Sequence, residues 1–421
     1  MLQNFQGIVG LGFILGLCWI LSEDRSTRPH GLWIAGAIAV QIAIALIVTR
    51  SELAQQLIGF ANDAVSSIER ATLVGSSYMF GYTGGAPIPF MLKPGADEPV
   101  IIAFQILPLI IVFSALSALL WHWGVLRVIV RALSWALRRG LGVSGFVGLG
   151  GASTLFLGVV ESPLILKAWL SRVSRSDLFA VMVLIMSTIS GAIMILYAST
   201  LSGVVPDAIG HLISASIVSL PAAILIARIM VPGDGKPDTA PIEPDLKYES
   251  SMDAALRGTM EGVQLVLAVI GVIIVAFAFV NLVDQLLGVL PAVEGEPLTL
   301  RRLFGWLFAP LMWAIGIPAD QAESAGALMG TKVILNEYVA YLDLAALPAG
   351  TLDPRSLLIM TYALSGVANL ASVGLIVSTI STLAPDRKSD VASLGMKSWL
   401  AGNLASAMTG AVIGLVTISS G

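Results

Sequence analysis

Apolar stretches about twenty residues long, the length a helix needs to cross the hydrocarbon core of a bilayer, recur along this whole chain, and nothing constrains its fold more. Eight read as spans, at 5–22, 31–49, 100–121, 178–201, 206–232, 262–289, 356–382 and 398–419. Only 12% of the 421 residues are charged, whereas a soluble domain carries about a quarter. A chain with so little charge cannot cover itself in water, so the expected class is an all-α polytopic membrane protein. The start, "MLQNFQGIVGLGFILGLCWILSEDR", lacks a basic leader region and a small-residue cleavage site, and reads as the first membrane helix.

Two segments are helical in period but amphipathic. "SELAQQLIGFANDAVSSIERATLVG" (51–75) and "GVLRVIVRALSWALRRG" (124–140) suit a membrane interface better than its interior. "PGDGKPDTAPIEPDLKYES" (232–250) is the clear polar linker. The net charge of −4 comes without long basic runs, which excludes nucleic acid as a partner. A single cysteine, Cys18, leaves no intrachain disulfide and no cysteine-based metal site. Lys and Arg do not alternate cleanly between loops, so orientation in the membrane stays open.

Two further regions are too apolar for water and too interrupted for ordinary spans. One runs over 142–170, glycine-rich in "GVSGFVGLGGAS" and expected to break at Pro163; the other covers about 306–347 and contains "AGALMGTKVILNEYVAYLDL". Such a pair in corresponding halves points to a transporter's binding site. The halves do correspond: "LIMSTISG" (184–191) and "LIMTYALSG" (358–366) each follow a carboxylate, Glu161 and Glu337, by nearly the same distance. The pattern is hairpin, broken helix, helix, twice. The expected organisation is therefore scaffold helices over 1–50, an interfacial helix and loop over 51–99, and a third scaffold helix over 100–121. A first transport repeat follows over 122–232, then the linker over 233–250, a scaffold region over 251–300 and a second transport repeat over 301–421.

An ionised side chain at bilayer depth costs at least a few kcal/mol, so it persists only inside protein or a wet cavity. Glu161 and Glu337 are thus functional candidates, the competing reading being structural ion pairs with Lys167 or Lys332. Ser, Thr, Gly and Asn gather in "MSTISGA" (186–192) and "LSGVANLAS" (364–372), where a helix can unwind around a cavity. Carbonyl oxygens with the Thr154 and Thr188 hydroxyls suit a hard cation such as sodium. Asn369 and Ser372, three apart and on one face if the helix continues, join Glu337 as groups able to hold a hydroxylated solute. A competing motif, "GVSG" around Ser144 with His211 as base, would suit an intramembrane serine protease; it is a short match in a glycine-rich chain.

Several stretches resemble the concentrative nucleoside transporter family, bacterial type: "SRSDLFAVM" (174–182), "GTKVILNEYVAYLDL" (330–344), "YALSGVANLASVGLIV" (362–377) and "TLAPDRKSDVASLGMKSWLAGNLASAMTGAVIGL" (382–415). The resemblance implies a homotrimer of the bacterial inner membrane, multi-pass and surrounded by lipid, with two re-entrant hairpins arranged as an inverted repeat. It implies ion-coupled symport, with Na+ or H+, that imports a nucleoside by alternating access, with no enzyme activity and no organic cofactor. Glu337, Asn369 and Ser372 map onto the ribose-holding positions, and Val367 lies beside them. The first hairpin tip, normally G-Q-T-E and facing the nucleobase, reads Gly158-Val159-Val160-Glu161. The sodium positions map onto Thr154, Leu157, Thr188 and Ile189, with threonine replacing the usual asparagine and serine. These departures allow a different sugar-containing or polyol-like solute, and coupling to protons in place of sodium.

Overall fold

A computed structural model describes residues 2–27, 29–93, 100–233, 240, 242–244, 246–293 and 295–417, and no strand forms among them. Helices α1 (Leu2–Ile20) and α2 (Gly31–Arg50) are the first two spans. The long α3 (Glu52–Phe80) buries only Thr72 and Ser76, as an amphipathic helix off the main bundle should. A short α4 (Ile102–Gln105) leads into α5 (Pro108–His122), which starts where proline, with no N–H to satisfy, is tolerated. In α6 (Val125–Leu141) the buried residues Leu126, Val130, Ser134, Leu137 and Leu141 make one stripe, and its arginines lie off it.

The first hairpin descends as α7 (Gly145–Ser153) and returns as α8 (Glu161–Ile165) and α9 (Lys167–Leu170). The chain turns over residues 154–160, upstream of the proline expected to break it. Pro163 instead sits in the first turn of α8, where helix N–H groups have no intrahelical partner to lose. Next comes a broken helix, α10 (Arg175–Ser187) and α11 (Gly191–Leu201), and then α12 (Ala208–Met230). Residues 234–239, 241 and 245 of the expected linker lie outside the described residues. Helix α13 begins at Ser251, well ahead of the expected 262, and runs to Leu287; Ser250 caps it by accepting the Asp253 N–H.

The order then repeats. The amphipathic α14 (Leu300–Ala314) precedes a hairpin of α15 (Ala322–Ile334) and α16 (Glu337–Ala345). A second broken helix, α17 (Pro354–Ala363) and α18 (Leu370–Leu383), precedes α19 (Lys388–Val416). The two broken helices start alike, with Ser174 and Asp353 as N-caps accepting from Asp177 and Ser356. Among the described residues, six stretches are long and apolar enough to cross a membrane: Gly31–Arg50, Ile102–His122, Arg175–Leu201, Ala208–Met230, Ser251–Leu287 and Pro385–Val416. Two shorter apolar helices, Gln6–Ile20 and Leu370–Leu383, fall within the first expected span and the second half of the seventh. The chain is a polytopic, all-helical membrane protein.

Helix α19 lies along both broken helices, against α10 and α17, and α1 and α2 pack on α12 and α19, whereas α13 pairs chiefly with α5. The two breaks meet. Gly366 has φ +116°, and a Cβ there would lie 2.9 Å from the Ser187 carbonyl carbon and 2.7 Å from Ser406 Oγ. Only glycine allows both that left-handed backbone and that approach.

Candidate functional site

Where the hairpin tips reach the breaks, they enclose a cavity of about 200 Å³. Its wall is built from the first hairpin's turn, both interrupted helices, α5, Leu246, Tyr248 and α13. Unwound backbone is tolerated here because protein covers it and bonds it. At the second break the Lys332 amine donates to Ala363 O (3.0 Å), Ser365 Oγ to Tyr362 O (2.6 Å), and Asn403 Nδ2 to Ala368 O (2.9 Å).

Glu337 opens α16, next to its N-cap Asn336, whose side chain accepts the Val339 N–H at 2.8 Å. The helix N-terminus favours a negative charge at this position. Tyr197 Oη donates to one carboxylate oxygen (2.6 Å) and Asn369 Nδ2 to the other (2.9 Å). Tyr197 is itself wedged against Tyr338 and Tyr341, with ring centroids 5.8 and 5.0 Å away. Asn369 stands ahead of α18 as its N-cap, with φ −122° and ψ 170°, and its Oδ1 accepts the Ser372 N–H at 2.9 Å. The two residues are therefore joined by a cap, not by sharing a continuous helix face as the spacing suggested. Glu337, Ser372 and Val367 line the cavity, and Asn369 supports Glu337 from behind. All four are buried, and no ion pair forms between Glu337 and Lys332 among the described residues.

Glu161 holds the corresponding place in the first hairpin, and the contrast is plain. It is partly exposed to the cavity, and no side chain among the described residues bonds it. Its carboxylate folds back over Gly158, where a Cβ would stand within 2.4 Å of Oε2, so that glycine is what lets the tip close on itself. Val159 and Val160 also face the cavity and offer no hydrogen bond. Lys167 points outward, exposed.

Three of the four residues read as cation ligands, Thr154, Leu157 and Thr188, line the cavity; Ile189 is fully buried behind it, with its N–H directed to Ser216 Oγ (3.3 Å). The Thr154 and Thr188 hydroxyls spend their protons on Gly151 O (2.9 Å) and Leu184 O (2.8 Å). That leaves each oxygen's lone pairs, which are the part of a hydroxyl a hard cation uses.

Three contributors escaped the sequence reading. Tyr197 gave only a faint signal, a lone tyrosine within a span. Glu261 gave a strong one, a carboxylate in the run "GTMEGVQLVLAVIGV", but placing the span's start at 262 left it outside. Tyr248 lies in what reads as solvated linker, yet Leu246 and Tyr248 line the cavity. The protease pairing does not form. Ser144 caps α7 by accepting the Val147 N–H (3.2 Å), while His211 Nδ1 faces Tyr362 Oη (3.3 Å).

Three sequence models match. One described as Na+ dependent nucleoside transporter N-terminus covers residues 9–83, one described as nucleoside recognition covers 103–203, and one described as Na+ dependent nucleoside transporter C-terminus covers 211–414. An uncharacterized transporter of Haemophilus influenzae is 32% identical over 97% of both chains. The putative nucleoside permease NupX of Escherichia coli is 30% identical over 97% of this chain and 98% of that one. Among solved structures, CNTnw in an inward-facing, substrate-bound state superposes with a TM-score of 0.86 at 30% identity, covering 98% of this chain and 99% of that one.

Proposed function

Because this chain belongs to the concentrative nucleoside transporter family, we propose that it is a secondary active symporter that imports nucleosides across the bacterial inner membrane, driven by an ion gradient. The observation that carries the reading is Glu337, held from behind by Tyr197 and Asn369 at the cavity wall. A carboxylate fixed by two donors keeps lone pairs for the paired hydroxyls of a ribose, and Ser372 adds a hydroxyl beside it. A solute hydroxyl buried without such a partner costs about 1–3 kcal/mol. No basic side chain lines the cavity among the described residues, whereas three carboxylates do. A phosphorylated solute meets only repulsion there, which favours the nucleoside over the nucleotide.

The coupling ion travels as a second substrate. Sodium would be held by the Thr154 and Thr188 hydroxyls with the carbonyls of Leu157 and Ile189; a proton would reside on Glu161. Either drives uptake only if ion and nucleoside favour the same occluded arrangement, which requires a coupling free energy between the two sites. Alternating access would carry the hairpins and broken helices past the α5–α13 pair, in a homotrimer surrounded by lipid.

The deciding experiment measures the melting temperature of the purified protein with nucleosides, bases and polyols, with and without sodium and at several pH values. Uptake into vesicles under a sodium or a proton gradient accompanies it. A ligand that binds only the folded state stabilises by RT ln(1 + [L]/Kd). Stabilisation by nucleosides that depends on sodium is the expected result, and dependence on pH alone assigns the proton. Stabilisation by another polyol and by no nucleoside overturns the substrate.

A further inference from the structure

The cavity has two chemically distinct ends. Glu337 lies within electrostatic reach of Tyr197, Tyr341 and Lys332. Glu161, Glu261 and Tyr248 all line the cavity and act on one another's charge, and they mark the other end. Glu261 comes from α13 and Tyr248 from the segment leading into it, so this end is closed by a wall opposite the first hairpin. Neither Glu161 nor Glu261 takes a hydrogen bond from a described side chain. The nearest cation on α13, Arg257, is occupied by Asp253 at 2.7 Å. The wall is also poor in nitrogen donors. Trp121 supplies the one indole N–H, and that is spent on Leu246 O at 3.1 Å. What remains are carboxylates, which only accept, and hydroxyls, which do either.

At the end held by Glu161 and Glu261 a solute therefore meets side-chain acceptors in excess of donors, and one that brings its own hydrogens is favoured. Resting on the nucleoside reading above, we infer that Glu261, opposite Glu161, is a specificity-determining residue that selects nucleosides whose base presents an exocyclic amino group over those presenting a carbonyl there. Cytidine against uridine, and adenosine against inosine, differ at the exocyclic group and the ring nitrogen beside it: the amino group brings two N–H bonds, enough for both carboxylates, while the oxo form brings one ring N–H next to an oxygen that opposes the second carboxylate. Even with one proton shared between Glu161 and Glu261, most of their lone pairs stay available as acceptors. Val159 and Val160 cannot correct the mismatch because their side chains neither donate nor accept. Recognition at this end passes from the hairpin to α13.

The test compares binding of these two matched pairs to the purified full chain and to Glu261→Gln, by titrated thermal stabilisation and by competition for uptake in vesicles. A hydrogen bond to a charged group predicts a preference of about tenfold for the amino-bearing member of each pair in the native protein. Glu261→Gln, whose amide donates as well as accepts, narrows that preference below about threefold, mainly by improving uridine and inosine. Where that variant fails to purify as a folded protein, Glu261→Asp, which keeps the charge but withdraws it, is measured for the same narrowing. Equal binding of cytidine and uridine by the native protein overturns the inference and leaves the nucleoside reading standing. So does a preference that both variants leave unchanged. Failure of every nucleoside to bind removes both.

Discussion

Glu337 and Glu161 occupy equivalent places in two copies of one structural unit, yet the two hairpin tips differ in almost everything around the carboxylate. At the second tip, tyrosine and asparagine each hold one oxygen and a capped helix terminus backs the charge. At the first, two valines flank a carboxylate whose contacts are with its own loop. A repeated backbone thus fixes where a charge stands, and the neighbours decide whether it is rigid or adaptable. In the function proposed above, the preorganised tip takes the part of a solute that never varies and the looser tip the part that does.

Exchanging the two charges is the hardest test of this contrast. Glu337→Gln keeps an amide oxygen for one of the two buried donors, sets its NH2 against the other and weakens the acceptor for the sugar. With charge-assisted bonds worth about 1.5–3 kcal/mol each, nucleoside affinity measured by thermal titration should fall about a hundredfold. Glu161→Gln strands no side chain and should cost about tenfold. Equal losses would mean that the tips are not specialised.

Tyr197→Phe removes one of two supports and leaves Asn369, so a loss of about tenfold is expected, with all nucleosides affected alike. A change in base preference instead would move Tyr197 out of the role given to it here. Converting Val159→Gln together with Val160→Thr gives the first tip hydrogen-bonding groups like those of the second. The expected change is a shift of about threefold in preference between bases, read by competition uptake, with the affinity for ribose alone unchanged.

The smallest effect concerns the foot of the first hairpin, which is tied down as firmly as its tip is free. Arg387 donates to Leu170 O and Val173 O, while Arg175 pairs with both Glu23 and Asp390. Glu23, outside the spans, is held down at a pKa of about 2, chiefly by its hydrogen bond to Arg175 and then by Lys397. A carboxylate depressed in the folded protein stabilises it above the ordinary glutamate pKa and loses that contribution as pH falls toward the folded value. The melting temperatures of the native protein and of Glu23→Gln should therefore differ slightly at neutral pH and converge on approach to pH 2. A gap that persists there would assign Glu23's contribution to packing.

Much of this was legible in the sequence, because membranes simplify the grammar. A span needs length and apolarity, and a carboxylate inside one needs a reason, so the spans, both hairpins and the breaks beside Thr188 and Gly366 could be read without coordinates. Pro163 does not mark the turn, because the first turn of a helix accommodates proline at no loss. Tyr197 stayed hidden because its significance is a contact between residues 140 apart in sequence. Glu261 falls one residue ahead of the expected start at 262, because the helix begins at Ser251. Which oxygens remain unsatisfied is a matter of packing, and periodicity carries none of that.

The Lys332 amine, buried and bonded to the last carbonyl of α17, has one more consequence. The C-terminal end of a helix is an electron-rich edge that attracts any available donor. In the second half of the molecule that edge has a resident, tethered by a side chain and unable to diffuse away. The matching edge of α10 has only hydroxyls from its own last turn, Ser187 and Thr188, both directed to Leu184 O. One half of a near-symmetric protein thus has an amine bonded at this edge, and the other, among the described residues, only hydroxyls. Asymmetry of this kind gives a duplicated fold a direction in which to respond.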